Sequence, residues 1–390
     1  MRKLVPFAYG FRPFFLLAGW YAVIAIGLWL WLYPAAPGPF ATLPAQLWHG
    51  HEMLFGFVGA AIAGFMLTAV PSWTGSRGFA GLPLIALTLL WLAGRVALFA
   101  GDAIPFWLLG LAELAFLPML ALLLAPPLLR ATNRNTPLLF VLLFLWSADA
   151  VFVYALAQGD PGLANTAVRA ALNLVLLLVT VIGGRIVPAF TANALRGRGE
   201  TPGLRASRHL DRFVIGAMVL AIPADIVWPG GSAAGLVALA AGLGQAVRLA
   251  GWQGWRTLGE PIVWVLHAAY LWLPIGLLLK AGWFLGGLPW AAYWLHALGA
   301  GAAATMILAV MTRASLGHTG RELRVSPPVT AAYLLLLAAV VVRVFGAAWL
   351  PFGYVTTVSI AGALWLLAFL VYSVAYAPVL LQPRADGKPG

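Results

Sequence analysis

Residues 47–70 read LWHGHEMLFGFVGAAIAGFMLTAV. Beyond Glu52 the run carries no charge, and its length is that of a membrane-spanning helix, ~20 apolar residues. Two imidazoles and a carboxylate, His49, His51 and Glu52, stand at its mouth. Ionisable groups at membrane depth are costly and mark functional sites by default, and neutral imidazole is the commonest metal-binding side chain. Helix residues turn by ~100° each, so His49 and His51 lie ~200° apart. Such a pair serves two centres, or one imidazole ligates while the other hydrogen-bonds. Glu52, at i+3 from His49, shares its face and is placed to orient a ligating ring. The plain alternative is a pair that caps the helix in interfacial water.

The rest of the chain repeats the pattern of this run. Of 390 residues, 63% are hydrophobic and 9% charged, where a soluble globule carries about 25% charged residues. The sequence therefore predicts an all-α polytopic membrane bundle, one integral membrane domain over 1–390. Twelve spans are expected: 14–33, 47–70, 82–100, 104–129, 137–156, 166–187, 211–228, 231–249, 261–282, 289–312, 327–347 and 351–376. Proline and glycine punctuate the joins, as in Trp228-Pro229-Gly230-Gly231. The first run, though flanked by Arg2, Lys3 and Arg12, lacks a cleavage site and reads as a retained helix. Alternate connections carry the Lys and Arg: Arg77, Arg130, Arg134, a group from Arg196 to Arg212, Arg256, and Arg313 to Arg324. That alternation places both termini in the cytoplasm and the 34–46 loop outside. It also accounts for the net charge of +12 without a nucleic-acid partner. Absence of cysteine removes disulfides, iron–sulfur clusters, covalent haem attachment and thiolate metal sites. Any metal must bind His, Met, carboxylate or backbone oxygen.

An internal repeat is also legible. Val70-Pro71-Ser72-Trp73-Thr74 ends the second span, and Val187-Pro188-Ala189-Phe190-Thr191 ends the sixth. Met311-Thr312-Arg313 ends the tenth. Gly94-Arg95-Val96 in the third span is echoed by Val342-Arg343-Val344 in the eleventh. Three pseudo-repeats of four helices, roughly 120 residues each, are expected, and such repeats in membrane proteins build a site where they meet. With this topology His49, His51, His296, Glu113, Asp149, Asp225, Arg95, Arg169, Lys280 and Arg343 map to the outer half or its edge. Asp102 falls in an outer loop. His267, Arg185 and Arg248 map to the inner half, and His209 and His318 to basic cytoplasmic loops, where they read as solvated.

Three motifs carry a resemblance to a known family. Tyr9-Gly10-Phe11-Arg12-Pro13-Phe14-Phe15, Trp48-His49-Gly50-His51-Glu52-Met53 and Val70-Pro71-Ser72-Trp73-Thr74-Gly75 resemble the NnrS family, and the resemblance extends over essentially the whole chain. It implies a bacterial inner-membrane protein containing haem and copper, linked to denitrification and to tolerance of nitric oxide and nitrosative stress. A more distant architectural similarity is to the catalytic subunit of haem–copper oxidases and nitric oxide reductases. There, twelve helices in three pseudo-repeats carry ligating His on the second, sixth and tenth helices. This chain departs from that pattern. Its H-x-H lies on the second span rather than the tenth, its sixth has only Asn173, and it has no His-His pair. The full binuclear ligand set is absent, which argues against proton-pumping oxidase chemistry.

The leading expectation is a haem b protein, with or without copper, that meets nitric oxide and, if an enzyme, is a haem-dependent oxidoreductase acting on it or a related nitrogen oxide, its electron donor unidentified. His49, His51 and His296 are the metal-ligand candidates, with His267 next. Arg95, Arg169 and Arg343 are the partners for haem propionates, since a guanidinium binds a carboxylate through paired charge-assisted hydrogen bonds. Glu52, Glu113 and Asp149 are the candidate catalytic carboxylates. The competing account pairs the arginines with Asp102, Glu113 or Asp149. A transporter with a small-solute site in the outer half is the second functional reading.

Overall fold

The computed structural model describes residues 5–33, 38–41 and 43–388. Arg2, Lys3 and positions 34–37 and 42 of the expected outer loop lie outside the described residues. Among those described, the regular elements are all helical. Eleven are long and apolar enough to cross a membrane: α1 Phe11–Leu32, α2 Ala45–Thr74, α3 Leu82–Ala103, α4 Phe106–Arg130, α5 Leu138–Gln158 and α6 Pro161–Gly197, then Ser232–Ala250, Pro261–Gly286, Pro289–His318, Pro327–Trp349 and Tyr354–Leu381. The expected 211–228 span is present as helix α7, Arg208–Val227, which makes those last five α8 to α12. Arg208, Asp211, Arg212 and Asp225 keep α7 below the apolar content of the others, so a count of twelve spans does not follow from composition.

The protein is a membrane-spanning helix bundle in a lipid bilayer. Large apolar side chains face outward from the helices, with Trp31 71%, Val96 67%, Leu122 69% and Leu236 58% exposed. That inversion of a soluble protein's surface is what a hydrocarbon solvent permits. Polar groups turn inward: Arg12, His51, Glu52, Asp149, Asp225 and Lys280 are all buried. The chain forms two compact units. One comprises Met1–Ala171, Ala314–Glu322 and Phe369–Gly390; the other comprises Leu172–Arg313 and Leu323–Ala368.

The three longest described helices are α6, α2 and α10, of 37, 30 and 30 residues. Each contains a π-helical segment: Glu52–Val58, Val179–Gly183 and Ala297–Ala304. These are the second helices of the three expected four-helix units. A π turn inserts a residue into the i→i−4 ladder and releases carbonyls from it, which is why such turns gather at functional sites. In α2 the Gly56 carbonyl accepts from the Trp91 indole at 3.1 Å. In α6 the Thr180 carbonyl accepts from Arg248 at 2.8 Å.

The first family-like motif is structural in its contacts. Arg12 is fully buried, and its Nη1 donates to the carbonyls of Leu380 and Gln382, each at 2.8 Å. It thereby satisfies carbonyls at the end of α12 that have no helical donor. His318 corrects the expectation of a solvated ring. It ends α10 half-buried, stacked on Tyr9 at 6.2 Å and tilted against Phe11 at 5.7 Å. His209 is exposed, as its loop position suggests.

Candidate functional site

Five helices of the first unit bring their ionisable residues to one place. Tyr21 comes from α1, His51 and Glu52 from α2, Arg95 from α3, Glu113 from α4 and Asp149 from α5. Burial is complete or nearly so: His51 0%, Glu52 1%, Asp149 2%, Glu113 3% and Arg95 7% exposed. Local backbone chemistry explains how these helices are pinned together. Pro118 has no N–H, so the carbonyl of Leu114 four residues earlier is left without its helical donor. The Trp146 indole takes that carbonyl at 3.1 Å, fastening α4 beside Glu113 to α5 just before Asp149. Trp91, one turn before Arg95, does the same between α3 and the π turn of α2.

Two glycines make the close approach possible. A Cβ at Gly94 would lie 2.5 Å from Glu113 Oε2 and 3.3 Å from its Cα. A Cβ at Gly56 would meet the Tyr21 ring and lie 3.2 Å from Arg95 Nη1.

At the centre, His51 Nε2 lies 2.9 Å from Asp149 Oδ1 and 3.7 Å from Glu113 Oε1. Its Nδ1 lies 3.1 Å from Glu52 Oε1. Arg95 Nη1 donates to Glu52 Oε1 at 2.7 Å, and its Nη2 to Glu113 Oε1. Tyr21 donates its hydroxyl to Glu52 Oε2. Phe55 and Phe152 pack on the His51 ring at 4.6 and 4.3 Å. Glu113 Oε2 is buried without a hydrogen-bond partner. His51, Glu113 and Asp149 each offer one ligand atom, all within 4.8 Å of one another.

His49 turns away from this cluster. It is half-buried and stacks on Trp29 at 4.6 Å and 19°. Glu52 therefore serves its neighbour His51 rather than His49, the partner that regular helical spacing suggested. The Glu52 carboxylate is held there by Arg95 of α3 and Tyr21 of α1. Beside His49, Gly50 packs against Val168 of α6, and half-buried Arg169 follows Val168.

The second unit holds the other expected residues. His296 is half-buried and immediately precedes the π segment of α10. Arg343 lies over the Tyr293 ring at 4.7 Å and donates to the Tyr354 hydroxyl at 3.2 Å. Lys280 pairs with Asp225, whose Oδ2 also accepts from Asn173 at 2.7 Å. His267 Nε2 meets Thr191 Oγ1 at 2.7 Å, and its buried Nδ1 lies against Gly254. Arg248 reaches Asp211, the Thr180 carbonyl and Tyr270, and Tyr270 donates to Gln245.

Haem needs an imidazole nitrogen with open space on its axis and cations for its two carboxylates. His51 does not fit, since both its ring nitrogens face carboxylates and its ring is sandwiched by phenylalanines. His267 does not fit, because one nitrogen meets Thr191 and the other a backbone wall. His49 and His296 are half-buried, as are Arg169, which follows the Val168 that packs on Gly50, and Arg343, which lies over the Tyr293 ring. Arg95 is committed to Glu52 and Glu113.

Tyr21 was not visible in the sequence as part of the site. Its only signal is a polar atom midway along an otherwise apolar helix, which many tyrosines share. Comparison with curated proteins returned no match. A family model described as NnrS protein matches residues 5–384.

Proposed function

The chain belongs to the NnrS family, and from that premise we propose that it is a haem-binding protein of the bacterial inner membrane acting in nitric oxide metabolism or nitrosative-stress tolerance. The observation that carries this reading is the burial of one motif's polar core. His51 and Glu52 of the Trp48–Met53 stretch meet Arg95, Glu113 and Asp149 in a dry cluster, where each charge acts far more strongly than in water. His49 and His296 are the proposed haem ligands, and Arg169 and Arg343 the proposed propionate partners. Haem, when bound, supplies an iron site for nitric oxide and a route for single electrons. When haem is bound, His49 and His296 would ligate it and Arg169 and Arg343 would meet its carboxylates, while the His51 cluster occupies a different face of α2 from His49. The charge alternation of the loops supports cytoplasmic termini. Copper in its soft, monovalent form is not favoured at the His51 cluster, which offers nitrogen and oxygen but no sulfur.

A solute transporter is the weaker reading. The cluster's side chains lie within hydrogen-bonding reach of one another, engaged with each other rather than presented to a solute. The test is nitric oxide removal by cells lacking their own copy and supplied with either wild type or His51→Ala at equal membrane abundance. Wild type should speed removal and His51→Ala should not. Equal removal by both, or none above the empty strain by wild type, contradicts the proposal.

A further inference from the structure

The proton inventory of the His51 cluster does not close with protein atoms alone. A neutral imidazole donates from one nitrogen and accepts at the other. If Nδ1–H donates to Glu52 Oε1 at 3.1 Å, the Nε2 lone pair faces Asp149 Oδ1 at 2.9 Å. If Nε2–H donates to Asp149, the Nδ1 lone pair faces Glu52. Either way, two acceptors confront each other in a buried site, which only an extra cation between them or an extra proton relieves.

The charges point to which pair needs it. Glu52 is already surrounded by donors: Arg95 Nη1, the Tyr21 hydroxyl and His51 Nδ1. Arg95 pairs with both Glu52 and Glu113, so one positive charge stands against three buried carboxylates. Around His51 Nε2 stand Asp149 Oδ1 at 2.9 Å and Glu113 Oε1 at 3.7 Å, and the cluster as a whole keeps two negative charges in excess. Two negative charges and one bare nitrogen match one divalent cation.

The spacing agrees. Ligand atoms ~2.0–2.2 Å from a metal, at tetrahedral or octahedral angles, stand roughly 3–3.5 Å from each other. Here the separations are 2.9 Å from His51 Nε2 to Asp149 and 3.7 Å to Glu113, the second slightly beyond that range, with all three ligand atoms within 4.8 Å of one another. Glu52 would then hold the far nitrogen of the ligating ring, the arrangement that fixes a metal-bound imidazole's tautomer and orientation.

We propose that His51 Nε2, Asp149 and Glu113 form a binding site for one divalent first-row cation, with Glu52 orienting His51 and Arg95 bridging Glu52 and Glu113. One nitrogen and carboxylate oxygens without sulfur suit manganese, ferrous iron or zinc. The site is separate from any haem and stands whether or not haem is present.

The test uses the untagged, full-length protein in detergent. It is stripped with a chelator, given zinc, freed of excess, and its zinc counted by elemental analysis, with haem counted separately. Wild type should retain one zinc per chain and melt at a higher temperature than the stripped protein. Asp149→Asn and Glu113→Gln should lose the zinc and the thermal gain. Glu52→Gln should weaken zinc binding by about 10–100-fold, and Asp225→Asn, a buried carboxylate of the second unit, should leave it unchanged. Manganese added to wild type should lose its free six-line paramagnetic spectrum. A wild-type protein that holds no zinc and melts unchanged overturns the site, as does Asp149→Asn holding as much zinc as wild type. A proton shared within the cluster is the account that would then stand.

Discussion

Replacing Arg95 by leucine removes the one guanidinium from a cluster of three carboxylates. Both terminal nitrogens of Arg95 are engaged, Nη1 to Glu52 at 2.7 Å and Nη2 to Glu113, and the side chain is 7% exposed, so water cannot substitute. Breaking a buried ion pair by removing one partner costs about 3–5 kcal/mol, because the other charge stays buried and uncompensated. The lower figure already changes the folded-to-unfolded ratio by a factor of about 100 or more. Neutralising the orphaned carboxylates should return most of that loss, since a buried pair replaced as a whole is often neutral in stability. The assay is unfolding in mixed micelles by increasing denaturing detergent, followed by tryptophan fluorescence. Arg95→Leu should unfold at a markedly lower detergent fraction. The triple variant Arg95→Leu, Glu52→Gln, Glu113→Gln should recover toward wild type. A single variant as stable as wild type, or a triple variant weaker than the single, would refute the electrostatic account of the cluster.

Other perturbations follow from the same geometry. Gly94→Ala places a methyl 2.5 Å from Glu113 Oε2 and should lower the melting temperature. Gly216→Ala on α7, where a Cβ meets nothing within 4 Å, should be neutral or gain up to about 1 kcal/mol from helix propensity. Arg12→Met leaves the carbonyls of Leu380 and Gln382 without a donor, costing about 1.5–3 kcal/mol for each charged hydrogen bond, and should expose the C-terminal end of α12 to protease first. Outside the membrane segments, hydrogen bonds from Arg256 and Arg198 hold the Glu200 carboxyl below its usual range. A carboxylate depressed in the folded state contributes stability above its unfolded value, lost as pH falls through the folded one. The melting difference between wild type and Glu200→Gln should therefore be largest near neutrality, shrink as pH falls below about 4.3, and shrink in high salt; a difference independent of pH contradicts it. Among the imidazoles, His49→Ala and His296→Ala should reduce haem content, whereas His267→Ala should retain it. Haem lost only with His267 would move the ligand to the inner half of the membrane.

The segmentation of the chain was legible because a bilayer demands apolar runs of fixed length, and the sequence supplies them with little ambiguity except at α7. That the polar residues of spans two to five share a depth was also legible, and the structure gathers His51, Glu52, Arg95, Glu113 and Asp149 in one unit. What each side chain touches was not. Glu52 meets His51 rather than His49 because Arg95 and Tyr21 of neighbouring helices hold its carboxylate, and helical spacing within α2 carries no trace of those partners. Gly94-Arg95-Val96 and Val342-Arg343-Val344 look alike as strings, but Arg95 meets carboxylates and Arg343 meets tyrosine rings. That difference depends on the neighbouring helix, which local sequence does not encode. Arg12 was read as a flanking charge because its partners, the last carbonyls of α12, are backbone atoms more than 360 residues away.

The optical spectrum of the purified, reduced protein, taken before and after addition of nitric oxide, tests the central claim most directly. The account predicts haem absorption bands in the wild type that shift on nitric oxide binding and weaken in His49→Ala or His296→Ala. A folded protein with no visible absorption, or with bands that nitric oxide leaves unmoved, would contradict it.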